Sequence, residues 1–126
     1  TIFKDVDPKS DLAQNELFAP VLAVIKCEDI DQAIKIANDT PYGLTGGLFS
    51  RSPGNIDKVK ELFEVGNLYI NRGNTGAMVE RHPFGGFKMS GLGSKTGSPD
   101  YIKQFMDPRC ITENTLRRGF APDFEG

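Results

Sequence analysis

The 126-residue chain is 38% hydrophobic and 25% charged, with a formal net charge of -2, which describes one soluble globular unit with room for a modest core and not for a second complete domain. That charge gives no general attraction for nucleic acid, and no apolar run approaches the roughly 20 residues of a membrane span, so neither is an expected partner. Two distant cysteines, Cys27 and Cys110, are too few for a disulfide framework and lack metal-ligand spacing, so a reducing cytoplasm is the expected compartment and no metal site is expected.

The chain begins at Thr1 inside what reads as a strand, with no initiator methionine, which suggests a piece of a longer polypeptide. Thr1 to Val6 alternates weakly and Asp7-Pro8-Lys9-Ser10 closes it as a turn; Leu12 to Phe18 is a short helical or irregular link. Val21 to Ile25 is a continuous apolar run of strand length, suited to a strand covered on both faces. Asp29 can cap a helix whose Ile30, Ala33, Ile34 and Ala37 form one apolar face, with Gln32 placed to reach back to the cap. Pro41 and Gly43 end it, Asn38 to Thr40 is read as a helix end, and Leu44 to Phe49 is a second strand.

Ser52-Pro53 is a cap followed by proline at the first helical position, and Ile56, Val59, Leu62 and Phe63 make the buried stripe before Gly66 stops the helix. Asn67 to Asn71 is the third strand. Strand, helix, strand, helix, strand with short joins predicts an α/β fold built on a parallel βαβαβ unit. After a glycine-punctuated loop that keeps its aromatics, Ser98-Pro99 starts a short helix through Tyr101, Ile102, Phe105 and Met106. Cys110 to Thr115 has strand composition; pairing with another subunit and a frayed end are both open readings of this tail.

Cys27 sits beside Glu28, Asp29 and Asp31, which oppose a thiolate, and is read as a core thiol; Cys110 has Arg109 beside it, but no Cys/His or Ser/His/Asp arrangement exists. No catalytic residue is therefore assigned. Gly91 to Gly97 imitates a dinucleotide fingerprint but follows loop and not strand, so a turn-rich connection is the preferred reading. Glu16 and Phe18 stand two apart before a buried strand, which in an extended segment puts both on one side, where a carboxylate can accept hydrogen bonds from a ribose and a ring can pack on a flat heterocycle. The alternative is an exposed acid and a core phenylalanine. Backbone N-H groups around Thr75-Gly76-Ala77 can form an anion-accepting concavity, with Phe84 walling an apolar slot.

Glu16-Leu17-Phe18-Ala19-Pro20-Val21, Ala37 to Thr45, Val65 to Asn71 and Pro83-Phe84-Gly85-Gly86-Phe87-Lys88-Met89-Ser90-Gly91 together resemble the C-terminal quarter of the NAD(P)-dependent aldehyde dehydrogenase superfamily. Asn71 to Val79 and Gly97 to Phe105 are similar to its 1-pyrroline-5-carboxylate dehydrogenase branch (L-glutamate γ-semialdehyde dehydrogenase), which also forms the C-terminal half of bifunctional proline-utilisation flavoenzymes. The resemblance implies the catalytic domain's fold for residues 1–107 and an oligomerisation strand and tail for 108–126, hence a homo-oligomer.

It further implies that Glu16 holds the nicotinamide ribose of NAD and Phe18 flanks its ring. Gly76 and Ala77 would bind the α-carboxylate of L-glutamate γ-semialdehyde, or of the product L-glutamate, and Phe84 would pack on its aliphatic chain. Ala19 stands where glycine is more usual and His82 where glutamine is common. In the family a cysteine thiolate attacks the aldehyde, hydride passes to NAD, and a glutamate-activated water releases the acid; those groups lie upstream of the equivalent region, so this piece alone should be inactive. FAD enters only if a proline dehydrogenase domain precedes it. Another aldehyde specificity, or a non-catalytic assembly module, are the alternatives.

Overall fold

Residues 1–74, 78 and 80–114 are described by the structure, a computed structural model. The chain enters through β1 (Ile2–Phe3), α1 (Asp11–Gln14) and β2 (Leu22–Ala23), and β1 and β2 pair in parallel with Ile2 opposite Leu22. Ala23 and Ile25 face the small residues Ala33 and Ala37 of the next helix, while Leu22 and Val24 on the other side are exposed. One face of this strand is therefore partly covered and the other is open, which corrects the expectation of burial on both.

The helix α2 (Ile30–Asn38) starts where Asp29 accepts a hydrogen bond from the Gln32 N–H at 2.8 Å. Gln32 Oε1 in turn accepts from the Glu28 N–H at 2.6 Å, one residue before the cap, so the cap satisfies one of the helix's orphan donors and ties down the chain that enters it. Its stripe buries Ile34 against α3 (Pro53–Leu62), whose Ser52 cap accepts from the Asn55 N–H and whose buried residue is Val59. Of the expected apolar face, Ala37 is exposed.

Between the helices lie β3 (Tyr42–Gly43) and β4 (Thr45–Leu48), and α3 leads to β5 (Asn67–Ile70). β4 and β5 are parallel, with Thr45 opposite Asn67 and Leu48 opposite Ile70, so this crossover forms as the sequence predicts. Gly46 permits it: a Cβ there would lie 2.4 Å from the Phe63 ring, which rests on the strand.

Three features depart from the expectation. No hydrogen-bonded ladder joins β2 to β4 among the described residues, so the parallel pairs are two separate ribbons and not one three-stranded run. A short antiparallel pair, β3 with β6 (Phe87–Lys88), was not expected; it stitches the glycine-rich loop onto the end of the second crossover. The helix after Ser98-Pro99 is a 3₁₀ turn, Tyr101–Phe105, beginning two residues later because Pro99 and Asp100 are taken up by turns on Ser98. Tyr101 and Phe105 meet edge to face at 5.6 Å.

Residues 110–114 form no strand; a strand needs a ladder partner, and no described segment supplies one. Thr115, the end of that expected strand, and 116–126 lie outside the described residues. Cys27 and Cys110 are both exposed, correcting the reading of Cys27 as a core thiol: the helix beside its strand covers too little of it. Only Ile34, Val59 and Tyr69 count as buried apolar residues among those described, while Phe3, Leu17, Leu22, Phe49, Met89 and Leu92 are exposed.

Candidate functional site

α1 ends when the Asn15 N–H bonds the Asp11 carbonyl, and residues 15–20 then run without regular structure into β2. This segment, with Leu12, Val21 and Ala23, walls an open cleft of about 570 Å³ to which both Glu16 and Phe18 contribute. The Phe18 ring is 97% exposed, which rules out the core-phenylalanine reading in this chain. An exposed acid and an uncovered ring beside one hollow are the features a ribose and a flat heterocycle need, and the residues present fit a nicotinamide nucleotide.

At the far end of β5 the chain leaves the sheet through Asn71, whose φ of +55 turns it into the left-handed region that asparagine tolerates better than most residues. Its side chain secures the exit: Oδ1 accepts from the Ser50 N–H at 2.9 Å and Nδ2 donates to the Ser50 carbonyl at 3.0 Å. The loop beyond contains the expected carboxylate-binding residues Gly76 and Ala77, and these lie outside the described residues, as do Thr75 and Val79.

The loop returns through a turn in which the Met78 carbonyl accepts from the Arg81 and His82 N–H groups at 3.0 and 2.5 Å. Phe84 follows, and its backbone is held on every side. Its N–H and carbonyl exchange hydrogen bonds of 2.8 and 3.1 Å with Thr96. Asn67 Nδ2 donates to the preceding Pro83 carbonyl at 2.8 Å, and Asn67 Oδ1 accepts from the following Gly85 N–H at 3.2 Å. The half-exposed Phe84 side chain borders a pocket of about 270 Å³ with Lys95, Tyr101, Gln104 and Phe105.

Further along, the Gly43 N–H donates to Ser90 Oγ at 3.1 Å, and Lys88 Nζ reaches the Asn38 carbonyl at 2.6 Å and the Glu64 carboxylate at 3.2 Å. Asn38 itself donates to the Leu62 carbonyl at 2.7 Å and accepts from the Glu64 N–H at 2.9 Å, binding the end of α2 to the end of α3. It is more than the plain helix end expected of it. Asn38, Asn67 and Asn71 are structural residues that pattern reading missed; the available signal was an amide at the end of a helix or at both ends of a strand.

The structure thus brings Glu16 and Phe18 to one hollow and puts Phe84 at another, with no lining residue in common. Among the described residues no group of His, Cys, Asp or Glu could hold a metal ion, and no helix is long and apolar enough to cross a membrane. The turns from Gly91 to Gly97, with Thr96 engaged on Phe84, bear out the reading of that segment as a connection.

The profile of the aldehyde dehydrogenase family matches residues 1–111. The chain belongs to the aldehyde dehydrogenase family. Among curated aldehyde dehydrogenase relatives it is 52% identical to the 1-pyrroline-5-carboxylate dehydrogenase of Anoxybacillus flavithermus and to 1-pyrroline-5-carboxylate dehydrogenase 2 of Bacillus subtilis, in each case over 90% of this chain and 22% of the relative. The chain therefore spans about a fifth of the length of the curated relatives it matches.

Of solved structures, proline utilization A (PutA) from Bdellovibrio bacteriovorus, inactivated by N-propargylglycine, is 70% identical with a TM-score of 0.87, covering 96% of this chain and 13% of that one. The Thermus 1-pyrroline-5-carboxylate dehydrogenase with bound NAD is 51% identical with a TM-score of 0.80, over 84% of this chain and 20% of its own. The α/β arrangement of the aldehyde dehydrogenases is thus kept within this segment.

Proposed function

We propose that this chain is the C-terminal part of a 1-pyrroline-5-carboxylate dehydrogenase, an NAD-dependent enzyme that oxidises L-glutamate γ-semialdehyde to L-glutamate. The observation that carries the reading is the 52% identity to relatives of that name together with 70% identity to a PutA structure. In the overall reaction an aldehyde, water and oxidised cofactor give a carboxylate, reduced cofactor and two protons. NAD supplies a hydride acceptor; in this chain Glu16 accepts hydrogen bonds from its ribose and Phe18 covers a face of its nicotinamide ring.

Gly76 and Ala77 present backbone N–H groups to the substrate α-carboxylate, and Phe84 packs against its aliphatic chain. Residues 1–107 belong to the catalytic domain and 108–126 to an oligomerisation strand and tail of a cytoplasmic homo-oligomer. The nucleophile is assigned to polypeptide outside this segment: Cys27 and Cys110 are exposed, and the carboxylates beside Cys27 oppose a thiolate. The segment alone is accordingly inactive. The higher identity to PutA, of which the chain covers only 13%, favours an upstream proline dehydrogenase domain, and FAD belongs to the protein only in that case.

The test is NADH formation by the full-length polypeptide with L-glutamate γ-semialdehyde and with straight-chain aldehydes of equal length lacking the α-carboxylate. A kcat/KM at least a hundredfold higher for the semialdehyde is expected. Equal values would reject the substrate assignment, and no turnover of any aldehyde would reject the enzyme.

A further inference from the structure

We infer that Asn67 is a positioning residue for the substrate wall, its side-chain amide fixing where the Phe84 ring stands. This rests on the reading of Phe84 as the aromatic against the substrate's aliphatic chain. Asn67 is the first residue of β5, anchored in the parallel ladder opposite Thr45 and by its own N–H to the Leu44 carbonyl at 3.1 Å. From that fixed base its amide grips the two peptide groups that flank Phe84, one by donation to Pro83 and one by acceptance from Gly85.

Both contacts are partly shielded from solvent, and together they require the composition found. Pro83 has no N–H, so its carbonyl is the one backbone group through which that side of Phe84 can be tied. The asparagine amide offers a donor and an acceptor side by side in one plane on a short stem: an ionised aspartate cannot donate to Pro83, and glutamine is a methylene longer. Gly66, immediately before Asn67, allows the close approach, since a Cβ there would lie 1.7 Å from the Gly85 carbonyl oxygen. With Thr96 holding Phe84 itself, the ring keeps only its side-chain torsions. A wall displaced by even about 1 Å loses much of its effect on a bound substrate.

The experiment compares Asn67→Ala, Asn67→Asp, Phe84→Ala and the double variant Asn67→Ala/Phe84→Ala in the full-length enzyme. L-glutamate affinity is measured by calorimetry, and KM and kcat are measured with L-glutamate γ-semialdehyde; circular dichroism and melting identify any variant that fails to fold. Asn67→Ala should weaken L-glutamate binding and raise KM by about tenfold, the loss of roughly one to two hydrogen bonds, with kcat and the KM for NAD within about twofold. Asn67→Asp, which keeps the acceptor for Gly85, should fall between Asn67→Ala and wild type and serves as the readout if Asn67→Ala does not fold. In the Phe84→Ala background the Asn67 change should add less than about twofold, because its action passes through the ring.

Multiplicative effects, or an Asn67→Ala variant with unchanged L-glutamate affinity beside a weakened Phe84→Ala, would overturn the positioning role and leave the Phe84 reading intact. An unchanged affinity in Phe84→Ala would overturn both.

Discussion

Gly66 and Gly85 touch backbone to backbone: a Cβ added at Gly66 would fall 1.7 Å from the Gly85 carbonyl oxygen and 2.7 Å from the Gly86 Cα. The entry to β5 and the glycine-rich loop are thereby pressed together with no side chain between them. Because the obstacle is backbone, the clash cannot be relieved by a rotamer change. Gly66→Ala should destabilise the full-length enzyme by about 1–3 kcal/mol, as overpacked sites do, and displace the Phe84 segment. Urea unfolding together with the L-glutamate affinity checks this; wild-type values for both would mean the loop yields freely.

Asn38 holds the ends of α2 and α3 together through two hydrogen bonds. Asn38→Ala removes both hydrogen bonds, and because they are open to solvent, where water can take over the freed groups, the cost should be about 0.5–1.5 kcal/mol. Hydrogen exchange at the Glu64 amide should quicken by an order of magnitude or more, whereas Asn38→Asp, which retains the acceptor, should protect that amide nearly as well as wild type.

The Asp39 carboxyl is held below the ordinary aspartate range, first by a hydrogen bond from Lys9 and then by the Lys9 charge, with desolvation opposing and the charges of Lys35 and Lys88 adding smaller effects. A depressed folded-state value means that the stabilisation is fully present above the unfolded value near 3.8 and disappears as pH falls through the lower folded value. Lys9→Ala should move the Asp39 titration, followed by carboxyl-carbon NMR, back up toward that ordinary value, and should flatten the pH dependence of unfolding below about pH 4. A titration unmoved by the substitution would remove Lys9 as the cause.

Phe18 makes almost no packing contact with the described chain, being 97% exposed. Phe18→Ala should therefore leave the segment's own packing within about 0.5 kcal/mol, yet weaken NAD binding to the full-length enzyme by about tenfold. Glu16→Gln should weaken it less, since an amide oxygen still accepts from a ribose hydroxyl. Calorimetric titration with NAD decides it, and undiminished affinity in both variants would detach this cleft from the nucleotide.

With three buried apolar side chains among the described residues and many large hydrophobic ones exposed, residues 1–126 expressed alone should self-associate. Sedimentation velocity should show oligomers growing with concentration; a compact monomer at high concentration would count against it.

What could be read in advance followed local rules. Asp29, Ser52 and Pro53 announce their helices because capping is settled within one turn, and β4, α3 and β5 follow because a short crossover leaves one topology. The β3 and β6 pair was hidden because two-residue strands carry no periodicity. Burial was misjudged at Leu22, Val24 and Cys27 because apolar composition asks for a covering layer without saying which chain segment provides it. In the candidate site, Glu16 and Phe18 border one hollow, but their segment is irregular and Leu17 borders it too, so alternation along a strand is not what joins them; the grip of Asn67 on Pro83 and Gly85 joins residues 16 and 18 positions away and leaves no trace in spacing.

The three asparagine clasps, at Asn38, Asn67 and Asn71, are all uncharged. The ion pairs Lys58–Asp31, Lys60–Asp57 and Lys103–Asp100 lie on the exposed rim, where dissolved electrolyte screens them. Raising the ionic strength should thus loosen the periphery while the ties between helix ends, strand and loop hold, giving the wall around Phe84 the same shape in dilute buffer and in brine.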